Sequence, residues 1–273
     1  MITSEQIRIA QRCLMAALIV GLPVVAHGQT AADTTRLAAA SSYLETGGLK
    51  IGMSLTDLEP ATHALNPLLK VTNTETVTVW PYDRNDTTKA APPDSPQSVQ
   101  TLELQTIRGA TPTTNESVVA TLAVYPNPPI VTRINRVISF PDGAGPNYSQ
   151  VLDALHAKYG QATDTQVFSD TPSGKMSAHF WYFDKDGKLM PPVTPNSLQP
   201  CGADMNMCTD RSMFSLMISA SGNGLVTSMD YKLANGPLVI SADMATDAYL
   251  QSVEDDRTRQ QTDDSKNRPL PKL

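Results

Sequence analysis

The chain has 273 residues, a formal net charge of −6 and a pI near 5.2. This mildly acidic balance without a basic block argues against nucleic acid or anionic lipid as the main partner. Aromatic residues are 5% of the total, and the length is enough for one large core or two modest ones.

The first element is MITSEQIRIAQRCLMAALIVGLPVVAHGQT. Arg8 and Arg12 give a positive start, Cys13 to Ala26 is almost wholly apolar, and Ala26-His27-Gly28 places small residues before a cut ahead of Gln29. That three-part layout is a secretory signal peptide, residues 1–28. Its apolar run is shorter than the roughly 20 residues a spanning helix needs. Cys13 follows Gln11-Arg12 rather than the small-residue box of a lipidated cysteine. The expected product is exported to the periplasm or secreted, without stable membrane insertion. Abundant Thr, Ser, Pro and Ala resemble the composition of many bacterial periplasmic proteins.

Residues 29–47 are small and polar, with a short helix expected through LAAASSYLE before Gly47-Gly48. In LKIGMSLTDLEPATHALNP, Ser54/Asp57 and Thr56/Glu59 both have capping-box spacing, and Leu55, Leu58, Thr62 and Leu65 share a helical face. Pro60 fits only a first turn, and Asn66-Pro67 closes the helix. β-Branched content predicts strands at 71–82, 98–107, 117–125 and 130–140. The second half repeats that order. Tyr148, Val151, Leu152, Leu155 and Tyr159 form one apolar stripe, with Asn147 as cap and Gly160 as stop. Strands are expected at TQVFS, KMSAHFWYF, SMFSLMISA and LVTSMDYKL, the last two joined by the turn Ser221-Gly222-Asn223-Gly224. A final helix at 243–260 leads into a charge-mixed tail expected to fray.

VWPYDRND and FWYFDKDG each place a Trp three residues before an Asp, Trp80 and Trp181, which suggests an internal duplication. Unrelated strands ending in aromatics would look the same. GMSLTDLEPATHAL followed by antiparallel strands resembles the helix-first modules of the beta-lactamase inhibitor proteins, which are tandem repeats. It is also similar to the small outer-membrane assembly lipoproteins of that architecture, although no lipidated cysteine is present. The resemblance implies an antiparallel sheet carrying helices on one face and a binding role. It transfers no catalytic residue.

Chemistry-bearing motifs are sparse. There is no Gly-x-Ser-x-Gly elbow, phosphate loop or dinucleotide fingerprint. His63 and His156 lie on the amphipathic helices, while His179 and Trp181 alternate on one strand. With Trp80 and Tyr82 these last two make a candidate binding surface able to stack a ligand. Asp184-Lys185-Asp186-Gly187 begins like a calcium loop but lacks the later ligands, so a turn is expected. Eight of the nine methionines after residue 28 fall between 176 and 244, where they serve as adaptable packing or binding residues. In CGADMNMC, Cys201 and Cys208 are the only cysteines past Cys13. An oxidising compartment and turn-forming Gly202, Asp204 and Asn206 point to a structural disulfide. Met205 and Met207 keep a soft-metal reading open.

The expected fold class is α+β: two tandem modules, residues 48–145 and 146–240, each a helix followed by an antiparallel sheet of about four strands. Residues 241–273 form a C-terminal helix and disordered tail. The expected function is non-enzymatic binding of another protein or an envelope component, with no cofactor and with the oligomeric state left open. The alternatives are a periplasmic hydrolase with a carboxylate or His site between modules, and a copper carrier.

Overall fold

A computed structural model describes residues 34, 36–38, 43–81, 90–106, 115–141, 143–192 and 209–268. Tyr82, Cys201, Met205, Met207 and Cys208 lie outside the described residues, as do residues 1–28, where a signal peptide is expected. Among the described residues no helix is long and apolar enough to cross a membrane.

Thr34 and residues 36–38 are helical, and a small hairpin follows, β1 (Glu45–Thr46) and β2 (Leu49–Lys50), around Gly47 and Gly48. Both glycines have positive φ, at 58° and 90°, which gives the two-residue turn its favoured chemistry. The expected helix through LAAASSYLE is present at Leu37 and Ala38 but not at the end of that stretch, where Tyr43 is in a turn and Glu45 is in β1. Helix α1 (Leu55–Leu65) follows. Ser54 is its N-cap, the hydroxyl accepting from Asp57 N–H, and Asn66 its C-cap. Pro60 sits in the second turn, not the first. Its missing donor leaves the carbonyl of Thr56, which is on the exposed side, so the cost is borne by solvent-facing backbone.

β3 (Leu69–Thr78), β4 (Gln97–Thr106), β5 (Asn115–Leu122) and β6 (Val131–Ser139) then run as an antiparallel meander. Helix α2 (Tyr148–Tyr159) has Asn147 as N-cap and Gly160 as C-cap with φ 84°. A second meander follows: β7 (Asp164–Thr171), β8 (Gly174–Phe183), β9 (Ser212–Ser221) and β10 (Val226–Asn235). The eight long strands form one sheet in the order β3-β4-β5-β6-β10-β9-β8-β7. The fourth strands of the two meanders are therefore neighbours, paired antiparallel from Ser139↔Ser228 to Arg133↔Ala234. β3 and β7 are the two edges.

The two halves share backbone detail around their helix starts. Ser54 bridges to Ile130, just before β6, and Asn147 bridges to Leu225, just before β10. Leu55 N–H donates to Pro129 O at 2.9 Å, and Tyr148 N–H to Gly224 O at 3.0 Å. Val131 N–H donates to Met53 O at 2.8 Å, and Val226 N–H to Pro146 O at 2.9 Å. A Cβ at Gly145 would stand 1.8 Å from Val226 O, so this close approach requires glycine. The tryptophans, in contrast, are not equivalent. Trp80 lies past β3, the first strand after α1, whereas Trp181 lies within β8, the second strand after α2. The shared Trp-x-x-Asp spacing thus fails as a marker of repeated positions.

Both helices pack on one sheet face. Leu58 of α1 joins Leu102, Leu104, Val118, Ile134, Phe214, Leu216 and Ile218 in the main core. The apolar stripe of α2 packs against the same cluster, with Tyr159 stacked on Phe214 at 4.6 Å. On the opposite face Ala178, Phe180, Tyr182, Met213 and Ala234 form a smaller cluster.

Helix α3 (Gly236–Lys266) leaves β10 and passes the β5–β6 turn. There Asn127 Nδ2 donates to Ala242 O at 2.9 Å and Thr246 Oγ1 donates to Tyr125 O at 3.1 Å. It starts earlier and ends later than the predicted 243–260. Asn235 caps it with Pro237 in the first turn. Pairs Glu254–Arg257, Asp256–Arg259 and Asp263–Lys266 at i,i+3 carry the helix through the segment expected to fray.

Candidate functional site

Residues 177, 179, 181 and 183 of β8 point to one side of the sheet because strand side chains alternate. His179 and Trp181 do share a face, as their spacing requires. That face lies under α2: Trp181 is 0% exposed and His179 6%. They therefore do not form an open stacking surface with Trp80, which is half-buried beyond β3. The indole Nε1 donates to Gly160 O at 2.9 Å, tying the end of α2 to the sheet. His156 and His179 flank the indole at 6.2 and 6.3 Å.

Around His179 is the one Ser/His arrangement among the described side-chain contacts. Ser177 Oγ is 3.0 Å from His179 Nε2, and Tyr148 Oη is 2.7 Å from Ser177 Oγ and 3.3 Å from the same imidazole nitrogen. Nδ1 faces Thr165 Oγ1 at 3.4 Å, where a catalytic triad would place a carboxylate. Ser177 is 0% exposed, so no substrate reaches its hydroxyl in this arrangement. Burial, helped by the charges of His156 and Lys175, lowers the His179 pKa to about 4. The imidazole is neutral at ordinary pH and acts as a hydrogen-bonding wedge between α2 and β8. The Ser-x-His spacing was visible in the sequence, but Tyr148 and Thr165 entered only when the helix and edge strand docked.

A second polar cluster lies at the join between the meanders. Arg136 Nε donates to Glu116 Oε1 at 2.6 Å, Asn66 Nδ2 donates to Glu116 Oε2 at 2.9 Å, and Arg136 also donates to Thr46 Oγ1 at 3.2 Å. The guanidinium lies 5.5 Å from the Tyr231 ring centroid. Burial raises the Tyr231 pKa, Arg136 opposing and Glu116 reinforcing the shift. These bonds join the end of α1, the β1–β2 hairpin, β5 and β6. Lys158 and Tyr159 add a bond each to Glu45, both at 2.6 Å. This cluster holds the helix layer to the sheet.

The Ser177–His179–Trp181 cluster is thus sealed under α2. On the helix side Val167, opposite Ser177 on the edge strand, is 56% exposed, and the other side exposes apolar groups as well. Met176 and Met217 are diagonal neighbours, since Met217 is opposite Ala178 and Met176 opposite Ser219. Each is 36% exposed, and Phe168, at the bulge of β7 beside Met176, is 54% exposed. Next to them on β10, Asp230 lies opposite Met217, its pKa raised by burial and its carboxylate 3.8 Å from Lys232.

At Asp184 the turn reading holds: Oδ1 accepts from Asp186 N–H and Lys188 N–H, both at 2.9 Å, and Gly187 has φ 76°. Among the described residues no group of three or more His, Cys, Asp or Glu could hold a metal. No family model matches this chain, and no curated protein or solved structure matches it.

Proposed function

We propose that this is an exported, non-enzymatic binding protein made of two tandem modules, residues 48–145 and 146–240, which binds another protein or a component of the cell envelope. The observation that carries the reading is the placement of Met176, Met217 and Phe168. Met176 and Met217 are exposed on the side of the sheet away from α1 and α2, with Phe168 exposed at the adjoining β7 bulge, and methionine suits a pliable protein-binding surface. The only Ser/His pair among the described contacts is meanwhile closed to substrate. The tandem reading is supported by the order β3-β4-β5-β6-β10-β9-β8-β7 and by the matched bridges Ser54↔Ile130 and Asn147↔Leu225. Those features, with both helices on one face, also support the resemblance to beta-lactamase inhibitor proteins. That argument is from architecture and assigns no particular partner.

The test is site-specific photo-crosslinking in the exported protein, with the reactive side chain at position 176 or 217 and a control at position 59 on α1. Adducts of one defined mass at 176 and 217, absent at 59 and weakened by Met217→Glu in the 176 probe, are expected. Equal labelling at all three positions, or none at any, rejects this surface as the binding site.

A further inference from the structure

The edge strand β3 is unusual in how little of it is covered. Residues 70–76 are all exposed, on both faces, between the buried anchors Leu69 and Val79, and Val71 is 43% exposed. One side of the strand is laddered to β4, and no strand borders its other side among the described residues. A ten-residue strand with no proline and a free edge is a template for pairing with another strand.

Its charges identify the partner. Lys70 pairs with Gln105, Asn73 with Glu103 and Glu75 with Thr101, so Lys70 and Glu75 point to the same sheet face. Neither has an ionic partner among the described residues. Laid antiparallel against itself with Lys70 opposite Glu75, β3 makes this pair twice, on one face, about a two-fold axis. Val71 then faces Thr74 of the second copy on the other face, and the bulge at Thr72 falls beside the axis. The other edge offers no such match: β7 carries Asp164 and Asp170 and no basic residue, so self-pairing would gather like charge. The β6–β10 seam is an in-chain precedent, two antiparallel strands joined with faces continuous, Ile138 opposite Met229 and Ile134 opposite Leu233.

We propose that two copies of this chain associate through their β3 edges, Lys70 of each opposite Glu75 of the other, to extend the sheet across a two-fold axis. The ladder supplies the attraction. The exposed ion pairs mainly select the register, because such pairs are individually weak. A bulge commonly discourages edge pairing, and here it restricts the strand to the register that brings two bulges together.

Sedimentation equilibrium of the exported chain, with Lys70→Glu and Glu75→Lys as separate variants, tests this. The unaltered protein is expected to dimerise reversibly, and each variant alone to dimerise roughly tenfold more weakly because like charges now face each other. Mixed in equal amounts, the two variants are expected to recover a heterodimer within about threefold of the original affinity, since both opposed pairs become complementary again. Circular dichroism verifies that each variant is folded. A wild-type chain that stays monomeric throughout, a dimer indifferent to either reversal, or a mixture that fails to recover would each overturn the proposal.

Discussion

Arg136 of β6 and Tyr231 of β10 stand directly opposite each other across the seam that joins the two meanders, the guanidinium 5.5 Å from the ring centroid. The same guanidinium bonds Glu116 at 2.6 Å, with both side chains almost wholly buried. Removing one member strands the other charge in the core. Arg136→Met is therefore expected to lower unfolding free energy by about 3–5 kcal/mol, measured by urea denaturation. Arg136→Met with Glu116→Gln should recover a substantial part of that loss, because no ionised group is then left unpaired.

His179 makes stability depend on pH. Its folded pKa is about 4, below the ordinary 6.5, so between those values the unfolded chain binds a proton that the folded chain excludes. The neutral site's stability is fully present above pH 6.5, is lost as pH falls towards 4, and changes no further below that. The expected loss is about 1–3 kcal/mol after allowance for solvent screening. Urea midpoints at pH 7.5 and 5 should differ less in His179→Gln than in the unaltered chain. An equal difference in both would assign the acid sensitivity elsewhere.

Trp181 donates its indole hydrogen bond to Gly160 O at the end of α2. Trp181→Phe keeps much of the apolar contact with Phe214 but loses that bond and opens space beside Tyr159. A loss of about 2–4 kcal/mol is expected from the cavity and the stranded carbonyl. Hydrogen exchange should increase first in the last turn of α2, with α1 unchanged.

Cys201 and Cys208 are proposed to form a disulfide that restrains their loop. Thiol titration of the unfolded, unreduced, exported protein should find no free thiol, and reduction should cost about 1–3 kcal/mol while leaving the far-ultraviolet spectrum intact. Two free thiols per chain would reject the disulfide and turn attention to Cu(I) competition with Met205→Ala and Met207→Ala.

Export predicts an intact mass for the periplasmic protein that corresponds to a chain starting near Gln29. A full-length chain retained in the membrane fraction would reject the signal-peptide reading.

Much of the local structure is written in short-range chemistry. Asn147 and Gly160 bound α2, Ser54 caps α1, and the β-branched runs became strands within a few residues of their expected limits. Each of those signals acts between residues a few positions apart, through caps, side-chain alternation and turn conformations. The helix expected over Leu37–Glu45 is present at Leu37 and Ala38 but does not reach Tyr43, where the chain turns into a hairpin around two positive-φ glycines that docks on Lys158, Tyr159 and Arg136, contacts no local pattern contains.

The site was less legible for a related reason. Alternation put His179 and Trp181 on one face, but a strand has two faces and sequence spacing does not say which one a helix will cover. Docking of α2 decided that, sealing His179, Ser177 and Trp181 and leaving Met176 and Met217 exposed on the other side. The likeness of Trp80 and Trp181 dissolved for the same reason, their strands taking different places in the two meanders. Sequence alone determined the limits of α1, α2 and, within a few residues, the strands, because those limits are set by local hydrogen bonding and steric preference. Helix α3, in contrast, ran from Gly236 to Lys266, beyond the expected 243–260. Only the tertiary structure decided which side chains are sealed and which are offered, because burial depends on contacts between segments far apart in the chain.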